Sequence, residues 1–338
     1  MIGSRSMRKR TKEPAGPDQL SLFAPEPESP RAADAALEAL ARRLPPHLRL
    51  GTSSWTFPGW KGLVYHRTYG SERAFLRESL AEYARHPLFR TVGIDRAYYA
   101  PVPEGELAAY LAQLPDGFLA VSKVWSEITT PVFPRHPRYG ERAGQPNPRF
   151  LDPALFDEVV GGPHRRAFAR ATGPFVVEIP PSPLSPSRLE HALERFLADA
   201  GGEFRFAVEV RDRRLLTPGY FRVLASHGAT HVFNYWERMP DIGAQLALAG
   251  SMPGPFVVAR LLIPPGRRYA ELVDAWEPFD RLVEPQPAMR EDVCTLIEEA
   301  GRRGYEVFVI VNNKAEGSSP LTVRALAERL VERAGTSA

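Results

Sequence analysis

Cysteine is nearly absent from this chain of 338 residues: Cys294 stands alone. A single cysteine excludes an internal disulfide and any zinc or iron–sulfur site built from several thiolates. Long apolar runs are missing too, so no segment reads as a bilayer span. The basic opening Met1–Arg10 has no apolar stretch behind it and does not read as a signal peptide. A soluble, cytoplasmic protein with no membrane partner is therefore expected. Excess charge of one sign is also lacking. Net charge is +3, and residues 1–46 hold eight Lys/Arg against six Asp/Glu, leaving the remainder at 35 against 34. Attraction to polyanions must come from local patches or from the N-terminal segment.

Proline is what the chain has in excess. Its 34 prolines lie mostly between periodic segments, as stiffened loops around a regular scaffold would require. A hydrophobic fraction of 43% and a charged fraction of 25% are ordinary for a globular protein. Residues 1–32 combine charge, proline and small side chains with few apolar ones, a composition expected to be disordered. From Ala33 to Leu44 helical spacing places Leu37, Leu40 and Leu44 on one face, which predicts a lead-in helix over residues 33–46.

Over residues 47–334 short β-rich runs alternate with helical patterns. The runs are Leu48–Thr52, Thr91–Asp95, Phe118–Val124, Pro174–Ile179, Phe204–Val210, Thr230–Tyr235, Phe256–Leu261 and Glu306–Val311. Helices are expected at Arg73–His86, Glu104–Leu114, Arg188–Asp199, Pro218–His227, Tyr269–Leu282, Arg290–Arg303 and Leu321–Arg333. Strands apolar on both faces and separated by helices indicate a parallel sheet covered by helices. Eight such units point to an α/β fold, a single eight-stranded parallel β/α barrel of the TIM type. A doubly wound open sheet is the runner-up, but the glycine-rich first turn of a dinucleotide site is missing. Residues 126–171, rich in proline and arginine and carrying Phe133, Tyr139 and Phe150, are too long for an ordinary loop and read as a lid over the mouth.

In such a barrel the C-terminal ends of the strands supply the site. There the sequence places Trp55, Asp95, Tyr98, Tyr99, Lys123, Trp125, Glu178, Glu209, Arg211, Asn234, Arg260, Asn312 and Asn313. Charges inside apolar strands are costly unless paired, so their recurrence at one end implies a shared polar pocket. One reading is a buried ion network that only fixes the barrel. The other is catalytic: Lys123, Arg211 and Arg260 hold an anion, Glu209 or else Glu178 moves a proton, and Asn312 and Asn313 orient the substrate. Trp55, Tyr98, Tyr99 and Trp125 are candidates to stack on a ring, or else ordinary packing. No metal or nucleotide signature is present and no cofactor is assigned. Oxygens of Glu178, Glu209, Asp95 and the asparagines would suit a hard cation. His231, the one histidine within a strand, reads as a satisfied core residue.

These strand-end motifs resemble the YecE-like family, domain of unknown function number 72. The resemblance runs from Gly51-Thr52-Ser53-Ser54-Trp55-Thr56-Phe57-Pro58-Gly59-Trp60-Lys61-Gly62 through Tyr98-Tyr99, Ala120–Lys123, Ile179-Pro180-Pro181, Phe206–Arg211 and Arg260 to Asn312-Asn313. It covers Leu50 to Leu330 and implies a TIM-type barrel without an established reaction. Against the family pattern, Gly93 and Asp95 stand for Glu and Asn, and Thr130, Asp212 and Leu262 stand for histidines. Lys314 replaces an acidic residue, and Glu178 an amide. These departures imply a changed substrate or a lost activity.

In the N-terminal segment, Gln19-Leu20-Ser21-Leu22-Phe23 is similar to the pentapeptide by which bacterial replication and repair proteins dock on the sliding clamp. Leu22 and Phe23, with Leu20 beside them, would fill an apolar pocket and Gln19 would hydrogen-bond its rim; the other reading is an apolar patch that packs back on the barrel. Arg8–Lys12 nearby adds charge for phosphate contacts. Two functions follow as expectations. One is an enzyme acting on a phosphorylated or otherwise anionic small substrate or on nucleic acid. The other is a non-catalytic DNA-replication or repair accessory recruited to the clamp.

Overall fold

The computed structural model describes residues 30–200 and 202–336. The expectations for the N-terminal segment, including Gln19–Phe23, lie outside the described residues. Eight strands, β1 Leu48–Thr52, β2 Thr91–Ile94, β3 Leu119–Lys123, β4 Thr172–Ile179, β5 Phe206–Val210, β6 Thr230–Tyr235, β7 Phe256–Leu261 and β8 Glu306–Val311, follow one another around a parallel sheet. β1 pairs with β8 from Leu48↔Val307 to Thr52↔Val311. On its other side it meets β2 only loosely: the Arg90 amide donates to the Leu50 carbonyl at 2.9 Å. The result is a nearly closed α/β barrel of the TIM type, as the alternation of runs requires.

Two glycines let β1 and β2 approach. A Cβ on Gly51 would lie 2.0 Å from the Thr91 carbonyl oxygen, and one on Gly93 2.8 Å from that of Ser53. Helices complete the outer layer, and several begin with the abundant prolines. Pro186–Asp199 and Pro218–Ser226 carry proline in the first turn, behind Ser185 and Thr217 whose hydroxyls accept from Arg188 and Tyr220 amides. The lead-in helix Pro30–Arg43 packs on the C-terminal helix Ser319–Thr336.

Residues 126–171 differ from the expected long loop. Pro153–Phe156, a π turn at Asp157–Gly161 and Gly162–Ala167 run together as a helical stretch. Phe156, Val160, His164 and Phe168 are buried along it, and Phe156 and His164 pack on Phe175 of β4. This stretch is the barrel's own helix between β3 and β4, which its two prolines at first turns disguise as loop. The preceding part borders the mouth through Thr130, which bonds the Tyr98 hydroxyl.

The barrel interior is layered. Arg49 and Arg205 grip Glu306 at the N-terminal end, over the Phe308 ring. Val121, Val176, Ala207, Val232, Phe256, Val258, Phe308 and Ile310 fill the middle. Two residues further along the strands, on the same inward face, the side chains are Lys123, Glu178, Glu209, Asn234 and Arg260. No helix among the described residues is long and apolar enough to cross a membrane.

Candidate active site

The period of two along each strand lifts five polar side chains to the C-terminal end of the barrel, and the first residues beyond the strands add Asp95 and Arg211. Glu178 and Glu209 are register partners on adjacent strands. Two carboxylates side by side in an apolar shell require cations between them. Arg211 supplies one, with Nε donating to Glu209 at 3.0 Å and Nη2 to Glu178 at 2.8 Å. Arg260 supplies another: Nη1 donates to Glu209 and Nη2 to Asp95 at 2.6 Å. Lys123 donates to Glu178 at 2.6 Å and lies 3.6 Å from Asp95. Six charges thus form one connected, mutually neutralising network.

Burial and pairing act in opposite directions on these groups. Burial alone would raise the Glu209 pKa, but Arg260, Arg211 and Lys123 outweigh it and bring the carboxyl down to about 2. Glu178 is lowered in the same way, burial being overcome chiefly by Arg211 and Lys123. Burial opposes the charge of Arg260, but Asp95, Glu209 and Glu178 leave it more firmly protonated than usual.

Above the network is a pocket of about 480 Å³, within the range of small-ligand sites. Asp95, Lys123, Glu178, Arg211 and Arg260 form its charged floor, and Asn312 and Lys314 its β8 side. Tyr98, Tyr99, Pro180, Trp236, Leu262 and Ile263 complete the wall. Lys123 Nζ sits 4.9 Å from the Tyr98 ring centroid and the Arg211 guanidinium 3.9 Å from that of Trp236. Asn312 donates to Ser53 Oγ at 3.2 Å and accepts from the Lys314 amide at 3.1 Å, which aims the Lys314 turn at the mouth.

Several expected site residues lie elsewhere. Glu209 is fully buried under the floor with both oxygens taken, so it is a counter-ion to Arg211 and Arg260 rather than a proton carrier in contact with the pocket. Asn313 is turned inward, its Oδ1 accepting from Trp60 Nε1 at 3.1 Å and the Ser319 amide at 2.9 Å. Trp55 is buried against Tyr110, ring centroids 4.9 Å apart, and Trp125 packs on the core beside β4, so neither forms the pocket wall. Asn234 donates to the Val210 carbonyl at 2.8 Å. His231 is the core residue its strand position indicated, bonded to Tyr220 and Gln245 at 3.1 Å, with burial pushing its pKa down to about 4. Trp236 and Lys314 are the functional candidates that strand-end reasoning passed over. Each follows a recognised strand by one to three residues, which is the signal that could have found them. Among the described residues no group of three or more His, Cys, Asp and Glu is arranged to hold a metal ion.

Fold and site together define a TIM-type barrel with a charged pocket at the C-terminal strand ends, the face on which this fold carries active sites. The family described as "Protein of unknown function DUF72" matches residues 49–337, and the chain belongs to that family. A DUF72 family protein from Enterococcus faecalis has a similar fold: TM-score 0.57 and 16% identity, covering 84% of this chain and 95% of that one. Another from Thermotoga maritima gives a TM-score of 0.56 and 17% identity, covering 84% and 99%. No curated protein matches the chain in sequence.

Proposed function

We propose that the protein is an enzyme acting on a small anionic substrate in the pocket at the barrel mouth, with Asp95 as its proton carrier. The observation that carries this reading is the makeup of the pocket lining. Lys123, Arg211, Arg260 and Lys314 all line one pocket of small-ligand size at the strand ends. Cations grouped on one pocket suit an anionic ligand, and the ion network holds Lys123, Arg211 and Arg260 in place without reorganisation. Of the carboxylates, Asp95 alone is substantially open, at 25% exposure of its side chain. It stands between Lys123 and Arg260, which would stabilise charge developing on a substrate.

Turnover of a panel of phosphate esters and carboxylates by the full-length protein tests the assignment. Asp95→Asn, assayed well below its own unfolding transition, should reduce any activity found by about two orders of magnitude or more. An undiminished rate in that variant would remove Asp95 from the mechanism.

A second reading rests on the Gln19–Phe23 sequence: recruitment to a bacterial sliding clamp as a replication or repair accessory. It is compatible with the first, because the pentapeptide and the mouth share no residue.

A further inference from the structure

The two glutamates of the network are held differently. Glu209 has both oxygens bonded, Oε1 to Arg211 and Oε2 to Arg260. Glu178 is held by one oxygen. Its Oε2 accepts from Lys123 Nζ at 2.6 Å and from Arg211 Nη2 at 2.8 Å, with Arg260 Nη1 3.6 Å away, whereas Oε1 accepts no hydrogen bond among the described residues. Three cations, from β3, β7 and the end of β5, thus converge on one oxygen atom, and the side chain that carries it lines the pocket. Convergent charged donors of this kind are what holds an oxygen of a carboxylate or phosphate group.

Each of the three cations has other supports. Arg211 keeps Glu209 at 3.0 Å, and its guanidinium lies 3.9 Å from the Trp236 ring centroid. Arg260 keeps Glu209 and, at 2.6 Å, Asp95. Lys123 keeps Asp95 at 3.6 Å and the face of Tyr98 at 4.9 Å. The donors therefore stay in place when Glu178 leaves them. Within the network they would then face two carboxylates, Asp95 and Glu209, one negative charge short.

We infer that Glu178 fills the anion seat of the mouth with its own carboxylate, and that an oxyanionic ligand binds by taking the place of its Oε2. This rests on the reading of the mouth as an anion site and adds where the anion sits and what competes for it. Glu178 then sets the threshold for entry. A ligand that offers a single weak contact leaves it in place, and one that presents several oxygens to Lys123, Arg211 and Arg260 displaces it. Burial would raise the Glu178 pKa, but Arg211 and Lys123 outweigh it, so the competitor is a charged oxygen near neutral pH.

Calorimetric titration of the full-length protein with formate and its neutral analogue formamide tests this in two variants. Glu178→Ala removes the charge and vacates the seat, whereas Glu178→Gln removes the same charge and leaves the seat filled. Formate should bind Glu178→Ala at least roughly ten-fold more tightly than the parent, and Glu178→Gln at most about three-fold more tightly. Formamide should gain nothing in either. Equal formate gains in the two variants, or no gain in either, would overturn the inference, as would a formamide gain equal to that of formate. A crystal of the parent protein soaked in phosphate gives a readout that needs no variant to fold. A phosphate oxygen within hydrogen-bonding distance of Lys123 and Arg211, with Glu178 turned aside, is expected. Phosphate bound in the mouth with Glu178 still on Lys123 would overturn the inference while the anion site stands. Phosphate absent from the mouth, together with no formate binding to parent or variants, would overturn this inference and the anion reading beneath it together.

Discussion

Glu209 is completely buried and still ionised, because its two oxygens lie against Arg211 and Arg260. A charge in an apolar strand signals that partners exist, and in this sense the network was legible from sequence. Which member faces the pocket was not, since alternation gives the face of a strand but not which oxygens are already taken. Neighbouring Asn312 and Asn313 make the same point: they follow β8, where alternation ends, and one turns to the mouth and the other to Trp60. Replacing Glu209 by Gln leaves two buried guanidinium groups short of a counter-charge, and should cost about 3–5 kcal/mol in urea unfolding. A loss below about 1 kcal/mol would show that Glu209 is not a principal support of the network. The sign of the pH dependence follows from the lowered pKa. The folded state releases this proton more readily than the unfolded one, so its stabilisation is complete above pH 4.5 and is lost as pH falls from there toward about 2. In the Glu209→Gln variant that part of the acid dependence should vanish, which unfolding curves across the same window would show.

At the scale of elements, all eight strands were legible because each is a short apolar run bounded by turn residues, and all but β3 and β6 are followed by a helical pattern. β1, β6, β7 and β8 have the expected ends. The helix between β3 and β4 was hidden because a proline-rich segment reads as loop, whereas its Pro153 and Pro163 stand at first turns, where proline is tolerated. The β1–β2 seam was also not visible, because closeness of two backbones leaves no periodic signature, only glycine. Gly51→Ala tests how much the closure depends on it. The added methyl would collide with the Thr91 carbonyl, which is backbone and cannot swing aside. The substitution should destabilise by roughly 3 kcal/mol or more and should do so more than Gly93→Ala, whose nearest contact is 2.8 Å. Thermal unfolding of the two variants side by side provides the comparison, and equal melting temperatures would mean that the seam opens at little cost.

For the whole molecule, the barrel mouth and the N-terminal pentapeptide are proposed to serve separate chemistry. Among the described residues the mouth draws on positions from Asp95 to Lys314. If Gln19–Phe23 docks on the clamp by itself, clamp binding and the activity of the mouth should respond to different substitutions. Leu22→Ala combined with Phe23→Ala removes two apolar anchors, each of which is worth about 1.5–3 kcal/mol when fully buried. Binding of full-length protein to immobilised clamp should therefore weaken by roughly two orders of magnitude or more. The melting temperature and any turnover at the mouth should stay at parental values. Asp95→Asn should do the reverse, lowering turnover and leaving clamp binding as it was. Clamp binding unchanged in the double variant would exclude the pentapeptide as the docking element, and a loss of both activities in either variant would show that barrel and pentapeptide work as one site.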